Sequence, residues 1–379
     1  MNLFYFIPNE LYSTIFTLLI TGLCVCTAFY YINSNENGII HRSNPLATIG
    51  IIILSIILML FLGLRTMSYY VPDFGDSYYY YHAFKQLSDY MPPEFGTEWL
   101  WNNLNLLFRD LGDSEGILFF LLVEVCYIGF MLLACIRISR NNLWISMLFC
   151  LASFSFLGYA VNGLRNGMAC SILMFAITLI SGNKLEKCLS IVLMIIAYSI
   201  HNSTILPIFC CIAACSIIRE PKYAISFWGA SIILSLIVGN TVGDFFASMG
   251  FDSRTSYFED VESSEYSYQF SQTGFRWDFL LYSSMPVLMT WYVTIKREFK
   301  DNTYNIMAIT YILANAFWIL VIRATFSNRF AYLSWFIYPL VIAYPLLRMN
   351  IWEDQDRKTA LILLAYSGFT FVIFLLGQS

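Results

Sequence analysis

Residues 46–64 read LATIGIIILSIILMLFLGL and contain no charged side chain. A helix needs about 20 mainly apolar residues to cross a bilayer, so this run predicts a transmembrane helix. Similar runs lie between polar breaks along the chain, and the full set is 11–32, 46–64, 117–136, 143–160, 168–180, 188–200, 204–218, 224–242, 279–295, 306–322, 331–347 and 360–376. The sequence therefore predicts an all-α polytopic membrane protein with about 12 transmembrane helices. We expect residues 1–379 to form a single integral membrane domain.

The composition excludes several other classes of protein. Hydrophobic residues make up 58% of the chain and charged residues only 12%, against about 25% charged residues in a typical soluble domain. A soluble globule of this size would lack the charges to cover its surface. The net charge of −4 provides no basic surface for nucleic acid. Membrane lipids are therefore the expected environment, and no nucleic-acid partner is expected.

The positions of lysine and arginine predict the orientation of the chain. Most of the 21 basic residues fall in one alternating set of short breaks, which the positive-inside rule assigns to the cytoplasm. The other set contains two longer, aromatic and acidic breaks, 65–116 and 243–277, which we expect to be outer loops. With an even number of spans, both termini then lie on the outer face.

Four arginines break this pattern because they lie at predicted outer helix ends: Arg165, Arg276, Arg323 and Arg329. A guanidinium is suited to forked contacts with phosphate oxygens, so the set predicts binding of an anionic lipid headgroup near the outer leaflet. His201 returns to the same face one helix hairpin after Arg165. The alternative for Arg276 and Arg323 is contact with lipid phosphates. The alternative for His201 is a helix-end side chain hydrogen-bonded to the backbone.

The first outer loop carries candidate sugar-binding residues. Asp73 and Asp76 precede a run of four tyrosines, residues 78–81, which includes Tyr80. Carboxylates accept hydrogen bonds from sugar hydroxyls, and amphipathic tyrosine rings cover the apolar faces of pyranoses. The tyrosines alone also fit an interfacial aromatic belt, whereas the two aspartates are not needed for one.

Two further features are less specific. Glu124 lies in the middle of an apolar run, where a carboxylate is unfavourable, so it is expected to face the helix bundle. Both a structural hydrogen bond and a catalytic role are open for it. Residues 252–272 are acidic and rich in serine and tyrosine, which favours a mobile lid or a solvated loop.

Several short motifs together resemble the EpsG/Wzy family of bacterial polysaccharide polymerases. The specific block is LRNGMA at 164–169, followed by an Asn-Lys turn at 183–184 and AYSIHNS at 197–203. The weaker motifs are GD at 75–76, GFRWDF at 274–279 and NRF at 328–330. The likeness covers roughly residues 64–345. The arginine-glutamine pair usual in the family is Arg165-Asn166 in this chain.

The resemblance implies a glycosyltransferase with a GT-C-like membrane fold that polymerises O-antigen or other surface polysaccharide. Such enzymes act at the outer, periplasmic face of the bacterial inner membrane. They transfer a growing glycan from undecaprenyl pyrophosphate to the non-reducing end of a new lipid-linked unit. Undecaprenyl-pyrophosphate-linked oligosaccharides would be the substrates, and a chain-length regulator protein is a candidate partner.

The predicted outer arginines fit this chemistry, since the leaving group is a lipid pyrophosphate. Arg165, Arg276, Arg329 and Arg323 would stabilise its developing charge. The acceptor hydroxyl needs a general base, for which His201, Asp73 and Asp76 are the candidates. The predicted outer breaks show no DxD motif and no carboxylate cluster suited to a divalent ion, so we predict that the arginines replace a metal and that no cofactor is needed.

Two other functions remain open at this stage. A flippase for lipid-linked oligosaccharides would also attract an anionic lipid, although transporters usually place their polar residues near the membrane midplane. An O-antigen ligase would use the same pyrophosphate chemistry with a different acceptor, and the arginines do not distinguish it from a polymerase.

Overall fold

A computed structural model describes most of the chain. The described residues are 7–34, 38, 40, 42–68, 70–71, 74–90, 98–139, 141–238, 275–323 and 327–377. The predicted second outer loop, 243–277, lies outside them except for its last three residues, and so does the segment 252–272. All regular secondary structure in the described residues is helical, which confirms the predicted all-α class.

The helices follow the predicted apolar runs, and two more occupy the first outer loop. In chain order they are α1 Tyr12–Asn33, α2 Pro45–Gly63, α3 Ser77–Tyr90, α4 Trp99–Asp110, α5 Ile117–Ser139, α6 Leu143–Leu151, α7 Phe154–Val161, α8 Leu164–Leu179, α9 Lys184–Ile200, α10 Ile205–Ser216, α11 Pro221–Val238, α12 Trp277–Trp291, α13 Asn302–Leu320, α14 Ser327–Trp335, α15 Tyr338–Arg348 and α16 Gln355–Gly377. The helices α3 and α4 lie within residues 65–116, where the sequence predicts a loop.

Fewer helices qualify as membrane spans than the predicted twelve. Among the described residues, seven helical segments are long and apolar enough to cross a membrane, and one of the seven is α14 and α15 taken together. The pair α6 and α7 makes an eighth if that pair, bent by 68°, is one span. The 16 residues of α8 reach about 24 Å at about 1.5 Å per residue, short of the roughly 30 Å hydrocarbon core. The chain is nevertheless a polytopic membrane protein. The twelve predicted apolar runs correspond to helices or helix pairs, but only some of these are long enough to be full-length spans.

Polar side chains define several of the helix starts. Asn44 accepts a hydrogen bond from the backbone of Ala47 and precedes Pro45 at the first position of α2. Asn183 and Glu186 form a capping box at the start of α9, in the Asn-Lys turn that the sequence analysis singled out. Such caps satisfy backbone N–H groups that have no partner within the helix. They place the ends of the apolar runs where the sequence changes to polar residues.

The described chain divides into two compact units. Unit 1 comprises Met1–Thr204 and Ala343–Ser379, and unit 2 comprises Ile205–Ile342. Within unit 1, α8 packs between α5 and α9, and α1 packs against α16. Almost every residue of α8 is buried, as expected for a helix that is apolar on all sides and surrounded by other helices. The single membrane domain of the sequence analysis stays a prediction.

Hydrogen bonds sort the helix ends of unit 1 into two groups. One group joins breaks that contain the predicted cytoplasmic basic residues: Ile40 to Asp356, Asn142 to Ile40, Arg137 to Glu186, and Arg348 to Ile138. The other joins breaks predicted to be outer: Asn9 to Thr66, Arg65 to Ala160, and Asp76 to Asn162. The two sets of breaks inferred from charge are thus also two sets in space, and the candidate site lies in the second.

In unit 2, α13 packs against α10, α11 and α14 and is buried along most of its length. Asn315 of α13 accepts a hydrogen bond from the Trp228 indole at 2.8 Å and donates one to Ser334 at 3.0 Å. Interhelical hydrogen bonds of this kind stabilise packing in a membrane, where no water competes. Unit 2 therefore has its own core.

Candidate functional site

A carboxylate joins two of the site residues that the sequence predicts, Arg165 and His201. One oxygen of Glu98, Oε1, accepts a hydrogen bond from His201 Nδ1 at 2.5 Å, and the other, Oε2, forms an ion pair with Arg165 Nη1. The backbone N–H of Asn202 also points to Oε1, at 3.4 Å. Arg165 and His201 thus lie at the same end of unit 1, and Glu98 is the residue that links them.

Three helix ends bring these side chains together. Arg165 is the second residue of α8, His201 follows the last residue of α9, and Glu98 precedes the first residue of α4. The hairpin of α8 and α9 returns the chain to the same end of unit 1, so residues 36 positions apart meet. Side chains held at the ends of rigid helices keep a fixed geometry.

Glu98 is held in an unusual backbone conformation. Its φ of 65° and ψ of 33° place it in the left-handed region, which non-glycine residues rarely adopt and which raises the free energy by about 1–3 kcal/mol. The conformation aims the carboxylate at Arg165 and His201 instead of at the start of α4. Strain of this kind concentrates at functional sites, where the surrounding contacts maintain it.

The environment keeps Glu98 ionised. Partial burial raises the pKa of this carboxyl, but the hydrogen bond from His201 and the charge of Arg165 outweigh burial, so the pKa lies below the ordinary value of 4.5. Only 15% of the Glu98 side chain and 5% of the His201 side chain are exposed, against 34% for Arg165. Arg165 is thus the member of the cluster that solvent or a charged ligand reaches first.

This depressed pKa gives a pH prediction. A group whose pKa is lower in the folded state stabilises the fold above its unfolded pKa, and that stabilisation disappears as the pH falls through the folded pKa. We expect the melting temperature of Glu98→Gln to stay below that of wild type from pH 8 down to about 4.5, and the gap to close only below that value. Thermal unfolding in detergent across this range tests it. A gap that closes between pH 7 and 5 would contradict it.

The other candidates of the first outer loop surround Arg165. The guanidinium lies over the Tyr80 ring, 5.3 Å from its centroid, and its Nε is 3.4 Å from the Tyr80 hydroxyl. Asp76 interacts electrostatically with Arg165. Tyr80 and Asp76 are therefore part of the same cluster, whereas Asp73 lies outside the described residues.

The GD motif at 75–76 is fixed to the start of α8 by Asn162. The Asp76 backbone N–H donates to Asn162 Oδ1 at 2.9 Å. Gly75 has a φ of +48°, and a Cβ at this position would lie only 2.5 Å from the same oxygen. Because only glycine fits this close approach, the motif has a structural reason that is separate from any carboxylate chemistry.

A buried ion pair holds helix ends next to the cluster in place. Arg65 Nη1 contacts Glu124 Oε1 at 3.1 Å, and both side chains are inaccessible to solvent. Arg65 Nη2 donates to Ser77 at 2.9 Å and to the carbonyl of Ala160 at 3.2 Å, which fixes the start of α3 against the end of α7. The expectation that Glu124 faces the bundle is confirmed, and its contact is structural.

The remaining arginines lie in unit 2. Arg276 makes two hydrogen bonds to Asp278, at 3.0 and 2.6 Å. Arg323 donates to the carbonyl of Ser235 at 2.7 Å and stacks on the Phe275 ring, which places it beside the segment that contains Arg276. Arg329 is in the first turn of α14. Their predicted pyrophosphate contacts remain predictions.

Sequence reasoning missed Glu98 and Arg65. Glu98 has one recognisable signal, an acidic residue immediately before the helical pattern of α4. Arg65 directly follows the apolar run 46–64 and was counted only as the start of a loop. The charged partner of each is distant in sequence, since Arg65 and Glu124 are 59 positions apart and Glu98 and His201 are 103 apart.

The cluster can bind an anion and move a proton. Glu98 and Tyr80 engage Nη1 and Nε of Arg165, so Nη2 carries the guanidinium donors available to a phosphate oxygen. With Nδ1–H directed at Glu98, the basic nitrogen of His201 is Nε2. No group of three or more His, Cys, Asp or Glu residues suited to a metal ion occurs in the described part of the chain.

These features define an all-helical, polytopic membrane protein with a charged cluster at one end of unit 1. The model of the EpsG family matches residues 48–379. The chain therefore belongs to the EpsG family, and the match extends beyond the region of the motifs in both directions. Neither a curated protein nor a solved structure matches it. Family membership supports a role of the polysaccharide-polymerase type.

Proposed function

We propose that this protein is a glycosyltransferase that polymerises oligosaccharide units carried on undecaprenyl pyrophosphate. The growing glycan would be transferred from its lipid carrier to the non-reducing end of a new lipid-linked unit. The reaction would take place at the outer face of the bacterial inner membrane, within a GT-C-like fold. The observation that carries this proposal is the Glu98 carboxylate shared by Arg165 and His201.

Each member of the cluster has a role in the proposed reaction. The acceptor hydroxyl attacks the anomeric carbon of the donor, and His201 Nε2 takes the hydroxyl proton. The bond between that carbon and the pyrophosphate oxygen breaks, and the electron pair leaves with undecaprenyl pyrophosphate. Arg165 stabilises the charge that develops on this leaving group. Glu98 orients His201 and stabilises the imidazolium, as a carboxylate does in hydrolytic triads.

The choice of general base follows from these contacts. Asp76 is fixed through its backbone to Asn162 and lies within electrostatic range of Arg165, which favours a role in holding the guanidinium. Histidine is the side chain that most readily exchanges a proton near neutral pH, and His201 has a carboxylate partner. We therefore assign proton transfer to His201 and place Tyr80 at the sugar nearest the leaving group. Arg276, Arg323 and Arg329 are proposed to contact the pyrophosphate as well, and the arginines are proposed to act without a metal.

The test uses a strain that lacks the native gene and receives wild type, Arg165→Ala or Arg165→Lys. Electrophoresis of the surface glycan should show a long ladder with wild type and a single capped unit with Arg165→Ala. Arg165→Lys keeps the charge but loses the planar fork, so we expect a loss of about 10²–10³-fold at normal membrane levels. Wild-type activity of Arg165→Lys would contradict the pyrophosphate contact.

The strain that lacks the native gene and receives no replacement distinguishes a polymerase from a ligase or a flippase. Accumulation of single lipid-linked units on the outer face supports a polymerase. Long chains that remain on the lipid carrier would indicate a ligase, and units retained on the cytoplasmic side would indicate a flippase. Either of these two results would overturn the proposed function.

A further inference from the structure

A cavity with a largely apolar lining and two charged side chains, Arg65 and Glu115, lies at the same end of unit 1 as the Glu98 cluster. It has a volume of about 270 Å³ and is bounded by the end of α2, the segment 65–68, Tyr81 of α3, Glu115 and the first turn of α5. This is close to the lower limit of ligand pockets, which is about 300 Å³. The space suits one small ring and is too small for a chain of several sugars.

Glu115, which lines the cavity, is a hydrogen-bond acceptor held in place by two donors. Glu115 accepts hydrogen bonds from the Tyr81 hydroxyl at 2.6 Å and from Lys85 Nζ at 2.5 Å, while half of its side chain stays exposed. The hydrogen bonds from Lys85 and Tyr81 keep the pKa of Glu115 below its ordinary value. Glu115 is therefore ionised at neutral pH, and it has lone pairs left for further hydroxyl donors.

The rest of the lining is compatible with a neutral, hydroxyl-rich ligand. Arg65 lines the cavity, its charge is balanced by Glu124, and its buried Nε makes no hydrogen bond within the described residues. Phe120 and Tyr81 supply ring faces, and Ser68 lies exposed at the rim. A phosphate would meet the carboxylate of Glu115 at close range, which disfavours an anion. A pyranose offers both hydroxyl groups for Glu115 and an apolar face for an aromatic ring.

The cavity and the Glu98 cluster share one helix. Tyr80 contacts Arg165, and the next residue, Tyr81, contacts Glu115. Arg65 in turn hydrogen-bonds Ser77, the first residue of α3. A ring in the cavity would thus lie beside the helix that carries Tyr80 to the Glu98 cluster.

We infer that this cavity, with Tyr81 and Glu115 as its recognition pair, binds one non-reacting sugar ring of the lipid-linked glycan. The inference rests on the proposed function. It adds a binding subsite to the Glu98 cluster, formed by residues that do not take part in the transfer itself. Binding here would set the register of the glycan relative to Arg165.

The test measures sugar binding separately from polymerisation. The probe is the free oligosaccharide released by mild acid from the lipid-linked units of the deletion strain. Saturation-transfer NMR is recorded with the full chain in lipid nanodiscs, as wild type, Tyr81→Phe, Glu115→Gln and Ser68→Trp. We expect at least about tenfold weaker binding in all three variants, since the first two remove the recognition pair and the third blocks the rim.

The control is Tyr30→Phe, which removes a hydroxyl from an exposed tyrosine of α1 outside the cavity and should bind as wild type does. Arg165→Ala should also bind the oligosaccharide while failing to polymerise. Undiminished binding by Glu115→Gln and Ser68→Trp, or no binding by wild type, would overturn the cavity subsite. Polymerisation by Arg165→Ala would instead overturn the proposed function, so the two failures are distinguishable.

Discussion

Replacing Glu98 by alanine is expected to lower the polymerisation rate by about 10³–10⁴-fold at normal membrane levels. The substitution removes the hydrogen-bond partner of His201 and the ion-pair partner of Arg165 together. Without them the imidazole loses its orientation, and the guanidinium loses the contact that fixes its plane. Purified protein in nanodiscs with isolated lipid-linked units gives the rate directly.

The conservative variants separate a positioning role from a structural one. Glu98→Gln keeps an acceptor for His201 but loses the negative charge, and we expect a smaller loss of about 10–10²-fold. The protonated imidazole then lacks the carboxylate that stabilises it, so the acidic limb of the pH–rate profile should move to lower pH. Glu220→Ala, which removes an exposed ion pair with Lys222, should leave rate and profile unchanged. A loss in Glu98→Ala that merely follows a loss of folded protein would contradict the positioning role.

Residue chemistry alone identified Arg165 and His201 because both are polar groups where apolar helices begin or end. A charged residue in such a place is unfavourable unless it has a partner or a ligand, so it stands out in a single sequence. Glu98 does not stand out, because it lies in a polar segment where one more carboxylate is ordinary. The role proposed for it rests on the left-handed backbone and on two partners distant in sequence, and both are properties of the folded chain.

The same reasoning explains the errors in the fold. The apolar runs were found because membrane helices differ so strongly in composition from their surroundings. The helices α3 and α4 were missed because tyrosines, asparagines and charged residues dilute their apolar positions. Burial of Trp101 and Phe84 then stabilises them against α5, which is a tertiary effect. The described residues contain seven or eight candidate spans rather than twelve, because an apolar run of about 10–14 residues fits a buried core helix as well as a spanning one.

The second large effect concerns the buried ion pair. Glu124→Leu should destabilise the protein by about 3–5 kcal/mol, because it leaves the Arg65 guanidinium charged and buried without its counterion. The change should extend to the Glu98 cluster, since Arg65 also fixes the start of α3 and the end of α7. We expect low membrane levels and a strongly reduced melting temperature in detergent.

The double variant Arg65→Met/Glu124→Leu tests whether the pair itself causes this effect. Removing both charges eliminates the uncompensated one, so the melting temperature should recover much of the loss despite the missing hydrogen bonds to Ser77 and Ala160. Asp354→Asn, which breaks an exposed ion pair with Lys358, should change stability by no more than about 1 kcal/mol.

If the double variant is no more stable than Glu124→Leu alone, the two charges are not coupled. Arg65 would then act mainly through its hydrogen bonds to the backbone and Ser77. Recovered stability without recovered polymerisation is the outcome we expect, because methionine can fill the space of Arg65 but cannot hold α3 in place beneath Tyr80.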